Sequence, residues 1–245
     1  MNPVKPMLAV SGQPFNSEGW IFEPKIDGTR CLAGVSSSGM RLHNRRLFDI
    51  TYRYPELVIA LALGASSCVL DGEITVFVDG KPSFAALAER DHQNERLRID
   101  YLSRALPASY VVFDILYAKE RSVMHLPLRE RKQILRDELQ ESEIVTIADS
   151  FPEKGEDYFQ AALKMGIEGI VAKRLDSRYE PGTRSQEWRA SLLSWCRSLP
   201  WRSRRTATFA HRCSCAPEMT KSRKSAQYIS SIDCKKLRAG VQPAP

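Results

Sequence analysis

Short apolar segments separated by turn residues recur along the first 190 residues of the chain. Alternating or continuous apolar runs predict strands, and apolar positions at helical spacing among charged residues predict helices. The predicted strands cover residues 20–23, 31–35, 40–44, 69–78, 110–117 and 169–174. The predicted helices cover residues 55–63, 83–89, 127–140 and 154–165. We expect the first three strands to form an antiparallel opening to the fold.

Local signals refine these boundaries and indicate the fold class. Pro127 suits the first position of its helix, Gly166 suits the end of the last helix, and Asp79-Gly80 suits a hairpin turn. In the helix 127–140, charged residues are predicted to face water. Short antiparallel strands mixed with helices predict an α+β fold. The sequence has no G-x-G-x-x-G run that would favour a doubly wound parallel sheet.

Composition and charge change the picture mainly at the C-terminal end. The 245 residues, 43% of them hydrophobic, suffice for one large domain with an appendage. The formal net charge is +7, and residues 191–245 carry 11 of the 36 Lys and Arg but only 2 of the 29 Asp and Glu. Residues 1–190 are therefore close to neutral, and any nucleic-acid-binding surface there must come from local clusters of cations.

No apolar run reaches membrane-spanning length, and the N-terminus has no export pattern, so the expected location is the cytoplasm without membrane attachment. Four of the six cysteines fall within residues 191–245. The run His211 to Cys215 invites a zinc site, but its spacing differs from that of common zinc knuckles. We therefore expect free thiols in an unstructured basic tail.

The run Lys25-Ile26-Asp27-Gly28-Thr29-Arg30 carries the candidate chemistry. A lysine amine attacks phosphorus only when it is deprotonated, so it needs nearby cations or a metal that depress its pKa. Arg30 is suited to that task, and Gly28 is suited to leaving room for phosphates. Taken alone, the run is also what the solvated end of a hairpin looks like.

Three further motifs follow in order: Asp71-Gly72-Glu73, the strand 110–116, and 168–174 with the sequence EGIVAKR. With the lysine run they resemble the nucleotidyltransferase domain of ATP-dependent DNA ligases, most closely the ligase module of bacterial and archaeal end-joining enzymes. The resemblance covers residues 7–188 and implies an antiparallel-rich, ATP-grasp-like domain with flanking helices. It also implies ATP with Mg²⁺ or Mn²⁺ as cofactors, nicked duplex DNA as substrate, and end-joining repair proteins as possible partners.

The resemblance also implies roles for individual residues. In this family the motif lysine, here Lys25, attacks the α-phosphorus of ATP, holds AMP, and passes it to the 5′-phosphate at a nick. Glu73 and Glu168 are the implied metal ligands, although Glu73 alternatively contacts the ribose. Phe113 would stack on adenine, against the simpler interpretation of core packing. The remaining implied nucleotide contacts are Glu23, Arg30, Arg45, Lys173 and Arg184.

The resemblance ends after Trp188. The family continues with alternating lysines that reach the α-phosphate, whereas this chain continues Arg189-Ala190-Ser191-Leu192-Leu193. The strand-like alternation also vanishes there, and we expect residues 191–245 to lie outside the domain and no oligonucleotide-binding barrel to follow. One hypothesis is a shift of reading frame near residues 188–190, which reading the coding DNA in its other frames would test. Missing cations predict weak self-adenylation and inefficient nick sealing.

Two alternatives stay open from the sequence. An RNA ligase or a GTP-using capping enzyme shares the lysine motif, although residues 168–173 favour the DNA ligase branch. A non-catalytic protein that retains affinity for ATP or DNA is the second alternative, with the basic tail supplying salt-sensitive contacts.

Overall fold

Two large β-sheets, one two-stranded hairpin and five helices make up the part of the chain that the computed structural model describes, residues 4–37 and 39–192. The strands are β1 Leu8–Ser11, β2 Asn16–Pro24, β3 Thr29–Ser36, β4 Gly39–Asn44, β5 Cys68–Thr75, β6 Phe77–Val78, β7 Lys81–Pro82, β8 Ser109–Ala118, β9 Arg121–Ser122, β10 Val145–Ile147, β11 Phe151–Lys154, β12 Gly169–Arg174 and β13 Arg184–Leu192. The helices are α1 Pro55–Gly64, α2 Phe84–Asp91, α3 Arg96–Ala105, α4 Leu128–Glu138 and α5 Gly155–Lys164, with a 3-10 turn at Thr51–Arg53. The α+β fold class is confirmed.

A five-stranded sheet has the order β1-β13-β12-β2-β11. Its pairings are antiparallel except that of β1 with β13, which is parallel. Helix α5 packs on this sheet because its apolar face, with Tyr158, Phe159 and Ala162, meets Phe22 and Ile170 in one buried cluster. The predicted end of α5 is confirmed, since Gly166 has a φ of +74°, a conformation that glycine adopts readily.

A six-stranded sheet holds the larger core. Its order is β10-β8-β5-β3-β4, with β9 paired to β8. Strand β8 is central and nearly continuously apolar because it is covered on both faces, and helix α4 packs against it. A separate hairpin, β6-β7, turns at Asp79-Gly80 as predicted.

The first three predicted strands were expected to pair antiparallel in succession, and only the second of these two pairings is found. Strands β3 and β4 pair antiparallel, but β2 does not pair with β3. Instead β2 lies between β12 and β11 in the other sheet. Residues 25–28 therefore form a connection between the two sheets. Apolar alternation predicts that a segment is a strand, but it does not identify its partner.

Helix α4 only partly follows the prediction that its charged residues face water: Arg129, Glu130, Arg136 and Asp137 are exposed, but two other charged residues are not. Arg131 and Lys132 are both buried, because each meets a carboxylate from a strand. Pro127 is the residue that caps the helix rather than its first member. Helix α3 was not predicted at all, since only Ile99 and Leu102 of its ten residues are buried and the apolar pattern is weak.

Strand β13 extends past Trp188, although the strand-like alternation of the sequence vanishes there. It continues to Leu192, because its backbone pairs with β12 on one side and with β1 on the other. Ser191 faces Ile170 of β12 in that register. Pairing on both sides as far as Ala190, and with β12 alone at Ser191 and Leu192, thus keeps the segment extended although alanine has low strand propensity.

Among the described helices, none combines the length and apolar composition needed to cross a lipid bilayer. The expectations for the tail 193–245, including the zinc alternative at His211 to Cys215, lie outside the described residues. Cys31 and Cys68 are buried free thiols.

Candidate active site

A cleft of about 1040 Å³ is lined by residues from both sheets. Strands β1, β2, β12 and β13 contribute from the five-stranded sheet, and β3, β5 and β8 contribute from the six-stranded one. A volume of this order accommodates a nucleotide-sized ligand. Eight of the predicted site residues line it: Glu23, Lys25, Arg30, Arg45, Glu73, Phe113, Lys173 and Arg184. The ninth, Glu168, contacts one of the eight directly.

Lys25 lies directly after β2, and its backbone N–H donates to the carbonyl of Gly169 over 2.9 Å. Its Nζ donates to Glu168 Oε2 over 2.6 Å, and both side chains keep some exposure, 30% and 21%. Burial lowers the pKa of Lys25, but the nearby carboxylates, led by Glu168, outweigh burial and raise it. The amine is therefore held in its charged form, contrary to the depressed pKa expected from the sequence.

Arg30 forms the second cation–carboxylate pair of the cleft. Its Nε and Nη2 donate to the two oxygens of Asp71 over 2.6 and 2.7 Å. Asp71 is fully buried, Arg30 is 16% exposed, and the Tyr179 hydroxyl donates to the same carboxylate over 2.6 Å. Burial disfavours the charge on Arg30, but Asp71 outweighs burial and raises the pKa of Arg30. The guanidinium is thus held in one orientation.

Glu73 projects into the cleft from β5, directly opposite Arg30 on β3. Burial raises the pKa of its carboxyl to about 7, against the opposing charges of Arg30 and Lys25. Gly28 lies beside it, and a Cβ there would come within 2.2 Å of the Ile74 carbonyl oxygen. Close contact with β5 therefore requires glycine at this position, which is a different reason from the room for phosphates that the sequence suggested.

The ring of Phe113 lies under two cations. The centroid is 4.1 Å from Lys173 Nζ and 4.5 Å from Arg30 Cζ. Trp188 meets the same ring edge to face, with centroids 6.3 Å apart. Phe113 is only half-buried, so both interpretations from the sequence retain support: the ring packs on its neighbours and also lines the cleft.

Glu23 is buried between two lysines. Its carboxylate pairs with Lys173 over 2.7 Å and with Lys132 of α4. Burial, assisted by the charge on Lys132, lowers the pKa of Lys173 to about 8 despite the attraction of Glu23. One carboxylate thus balances two ammonium groups, leaving positive charge at this wall of the cleft.

Arg45 and Arg184 lie at the cleft's exposed rim. Arg184 Nη1 donates to the carbonyl oxygen of Ala9 on β1, whereas Arg45 follows β4 in a tight turn. Both side chains are exposed, so the structure leaves them accessible to a charged ligand.

The two positions after Trp188 that alternate toward the cleft are Ala190 and Leu192, and both line it. The resemblance leads one to expect lysines on this strand. The wall formed by the end of β13 is apolar instead, although the backbone there keeps its strand pairing.

Three functional neighbours were missed by sequence reasoning: Asp71, Lys132 and Tyr179. Asp71 offered a signal, because a carboxylate within the apolar strand 68–76 needs a partner when it is buried. Tyr179 and Lys132 offered none, since their partners come from distant parts of the chain.

Glu73 and Glu168 are the candidate metal ligands. Within residues 4–37 and 39–192, no group of three or more His, Cys, Asp or Glu side chains could enclose a metal. Two carboxylates nevertheless fit Mg²⁺, which is commonly held by one or two carboxylates together with substrate phosphates and water.

Comparison with known proteins identifies the family this arrangement resembles. The family described as ATP dependent DNA ligase domain matches residues 6–189. The chain is 32% identical over 200 residues to the DNA ligase of Thermococcus fumicolans, covering 76% of this chain and 35% of that protein. It is 33% identical over 187 residues to the multifunctional non-homologous end joining DNA repair protein LigD of Mycobacterium tuberculosis, covering 75% of this chain and 23% of that protein.

Solved structures agree with the sequence matches. The mycobacterial DNA ligase D complexed with ATP and MES superposes with a TM-score of 0.64 at 30% identity, covering 77% of this chain and 60% of that one. The ligase domain of LigD from M. tuberculosis gives 0.63 at 30% identity, covering 76% and 58%. The chain therefore spans about a quarter to a third of the length of these curated relatives.

Proposed function

The chain belongs to the family of ATP-dependent DNA ligase domains, and we propose that it performs the adenylation step of that family with Lys25 as the nucleophile. One observation carries the proposal: the Lys25 amine lies 2.6 Å from Glu168 beside a cleft lined by Arg30, Phe113 and Lys173. We assign to the adenylation domain residues 1–190, as expected from the sequence, together with Ser191 and Leu192, which complete β13, and leave 193–245 outside it.

In the proposed reaction the neutral Lys25 amine forms a bond to the α-phosphorus of ATP, and the bond from that phosphorus to pyrophosphate breaks. The amine must first lose a proton. Glu168 holds the ammonium form, so weakening the contact between Lys25 and Glu168 favours the reactive form. AMP, held on Lys25, would then pass to the 5′-phosphate at a nick in duplex DNA, where the neighbouring 3′-hydroxyl displaces it.

The remaining side chains of the cleft supply positioning and charge. Arg30, fixed by Asp71, and Lys173 would stabilise the negative charge that develops on phosphoryl oxygens. Phe113 offers an aromatic face for adenine, and Glu23 lines the same wall. Arg45 and Arg184 remain at the rim for further phosphates; the full set is Glu23, Arg30, Arg45, Glu73, Phe113, Lys173 and Arg184.

Glu73 and Glu168 would hold Mg²⁺ or Mn²⁺, with Glu73 alternatively hydrogen-bonding the ribose. Such an ion supplies electrostatic neutralisation of the phosphates. Glu73 suits either role, because its pKa near 7 lets a cation favour the charged form, whereas the neutral form can donate a hydrogen bond.

We also propose that the activity is impaired. Ala190 and Leu192 provide no cations on the wall where the family resemblance places lysines. Losing one fixed cation aimed at developing charge costs about a hundredfold in rate. Slow adenylation is therefore the expected result, and nick sealing is expected to be slower still.

The proposed substrate is nicked duplex DNA in the cytoplasm. A relative from M. tuberculosis is named for non-homologous end joining. We extend that role to this chain as a proposal, with end-joining repair proteins as the expected partners.

Incubation of the full chain with α-labelled ATP and Mg²⁺ tests the proposal. We expect covalent label that grows slowly, is absent without metal, and is absent in Lys25→Ala. The matched control is Lys164→Ala at the exposed end of α5, which should label like the parent. Label that survives Lys25→Ala contradicts the assignment of the nucleophile.

Parallel reactions separate the nearest enzymatic alternatives. GTP in place of ATP tests the capping-type alternative, and nicked RNA in place of nicked DNA tests the RNA ligase alternative. Stronger labelling by GTP, or sealing confined to RNA, would replace the DNA ligase proposal.

The second candidate function is a non-catalytic protein that binds ATP or DNA. The apolar wall at Ala190 and Leu192 favours it. Binding of ATP without any covalent label would support this candidate. Comparing the salt dependence of DNA binding for the full chain and for one lacking residues 191–245 tests whether the basic segment contributes.

A further inference from the structure

The turn 44–48, between β4 and the rest of the chain, is held rigidly at the cleft rim. The Leu47 N–H donates to the Asn44 carbonyl over 2.8 Å, and the Asn44 N–H donates to the Phe48 carbonyl over 3.0 Å. The Asn44 side-chain oxygen also accepts from the N–H groups of Arg46 and Phe48, over 2.9 and 3.1 Å. Four hydrogen bonds within five residues fix the shape of this turn.

Leu47 occupies the left-handed region at a φ of 66°, which costs a branched side chain about 1 kcal/mol or more. Its side chain packs against the buried cluster that contains Met7, Leu32 and Leu116, which offsets that cost. Because the Leu47 side chain packs inward, the side chains next to it in this turn point outward. Those neighbours are Arg45, Arg46 and Phe48, and all three line the cleft and are exposed.

Phe48 is 62% exposed, and among the large apolar side chains that are exposed in the described residues it lines the cleft beside two arginines. Two arginines next to a flat apolar face match the chemistry of a nucleotide, because guanidinium groups bind phosphates and aromatic rings stack on bases. Phe113, deeper in the cleft, already offers the ring proposed for adenine. The ring at the rim therefore suits a base of the second substrate, DNA.

Base stacking in the duplex determines which bases have a face free for the Phe48 ring. In an uninterrupted duplex both faces of every base are covered by neighbouring bases, so a protein ring finds no free face. A free face exists where a nucleotide is missing or unpaired. A rigid ring at the rim thus discriminates between a perfectly paired nick and a break that exposes a base.

We propose that the turn 44–48 is a binding site for an unpaired nucleobase at a DNA break. Phe48 stacks on the exposed base, and Arg45 and Arg46 contact the flanking phosphates. The inference rests on the proposed function, since it takes the cleft as the place that receives broken DNA. It adds tighter binding of breaks that lack a nucleotide than of perfectly paired nicks, whereas sealing still requires the neighbouring 3′-hydroxyl of a nick.

Two duplexes of identical length and sequence test the proposal, one with a nick and one lacking a single nucleotide at the same position. 2-Aminopurine is placed in the continuous strand opposite the break in both. The full chain should bind the gapped duplex more tightly, and its binding should change the 2-aminopurine fluorescence in the gapped duplex only. Phe48→Leu should weaken binding of the gapped duplex about tenfold and abolish the fluorescence change, with little effect on the nicked duplex.

Further variants separate stacking by Phe48 from a general effect of removing an exposed aromatic ring. Phe48→Trp keeps a flat ring and should retain the preference. Tyr101→Leu removes an aromatic ring that is 61% exposed on α3 but does not line the cleft, and it should behave like the parent. The proposal is overturned if the parent binds both duplexes equally, if the fluorescence is unchanged, or if Tyr101→Leu matches Phe48→Leu.

The same variants distinguish this proposal from the proposed adenylation. Label on Lys25 in Phe48→Leu at the parent rate, with the gap preference lost, supports both. A gap preference that persists in Phe48→Leu overturns the role of the turn while leaving adenylation intact. If Phe48→Leu instead weakens ATP binding and spares DNA binding, the ring serves the nucleotide and the proposal fails.

Discussion

Two cation–carboxylate pairs in the same cleft differ in almost every physical respect. Arg30 and Asp71 lie on paired strands of the six-stranded sheet and meet through two hydrogen bonds, with Asp71 fully buried. Lys25 and Glu168 come from the five-stranded side and meet through one hydrogen bond, with both side chains partly exposed. The Arg30–Asp71 pair is therefore fixed in place, whereas the Lys25–Glu168 pair can be separated.

The two pairs give the cleft one positive charge with a fixed direction and one lysine that is held by a single contact. A bidentate buried pair fixes the direction of a positive charge, which suits a group that stabilises a developing anion. A single partly exposed contact keeps a lysine charged until a ligand competes for its carboxylate. The comparison predicts that breaking the Arg30–Asp71 pair costs much more stability than breaking the Lys25–Glu168 pair.

The largest expected effect on stability comes from breaking the buried pair. Asp71→Ala leaves Arg30 without its carboxylate and Tyr179 without its acceptor, and should lower the free energy of unfolding by about 3–5 kcal/mol. Glu168→Ala breaks the exposed pair and should cost about 1 kcal/mol or less. Urea denaturation of both variants measures the difference. Equal losses would contradict the distinction between the fixed and the separable pair.

The next effect concerns the apolar end of β13. Ala190→Lys places an amine at a position that lines the cleft, and should raise the rate of Lys25 labelling by ATP about a hundredfold. Gln186→Lys is the matched control, because it adds the same charge at an exposed position of the same strand outside the cleft lining. An equal gain in both variants would show that bulk charge, and not the cleft wall, limits the rate.

The third expected effect is the pH dependence contributed by Glu73, which lies under the influence of both pairs. Burial raises its pKa from 4.5 to about 7, so the folded protein holds a proton that the unfolded chain releases between these values. Stability from this group is therefore fully present below about pH 4.5 and is lost as the pH rises through about 7. In metal-free buffer, Glu73→Gln should flatten this part of the stability profile. A profile unchanged by the substitution would contradict the raised pKa.

The sequence predicted several of the strands that hold the site, and the predicted site residues meet at the cleft because the motifs that contain them are short and local; strands β1 and β13 were not predicted. Lys25 and Arg30 are five positions apart, and their run could be recognised without knowing the fold. Their separation onto two sheets could not be predicted. Strand periodicity specifies which face is buried, but partners such as β12 for β2 lie far along the chain.

Burial of charge was the second feature that escaped prediction. Arg131 and Lys132 occupy a helix whose charge pattern predicts solvent exposure, yet Asp114 and Glu23 from separate strands neutralise them inside the protein. The extension of β13 to Leu192 escaped for a related reason. Its backbone partners on β12 and β1 determine its conformation more strongly than its own side chains do.

The central claim is that the Lys25 amine becomes covalently bonded to adenylate. Peptide mapping by mass spectrometry, after incubation of the parent chain and of Ala190→Lys with ATP and Mg²⁺, tests it most directly. We predict one adenylated residue, Lys25, with low occupancy in the parent and higher occupancy in the variant. Adenylate found on Lys173 or another side chain, or absent from Lys25 in both proteins, would contradict the account.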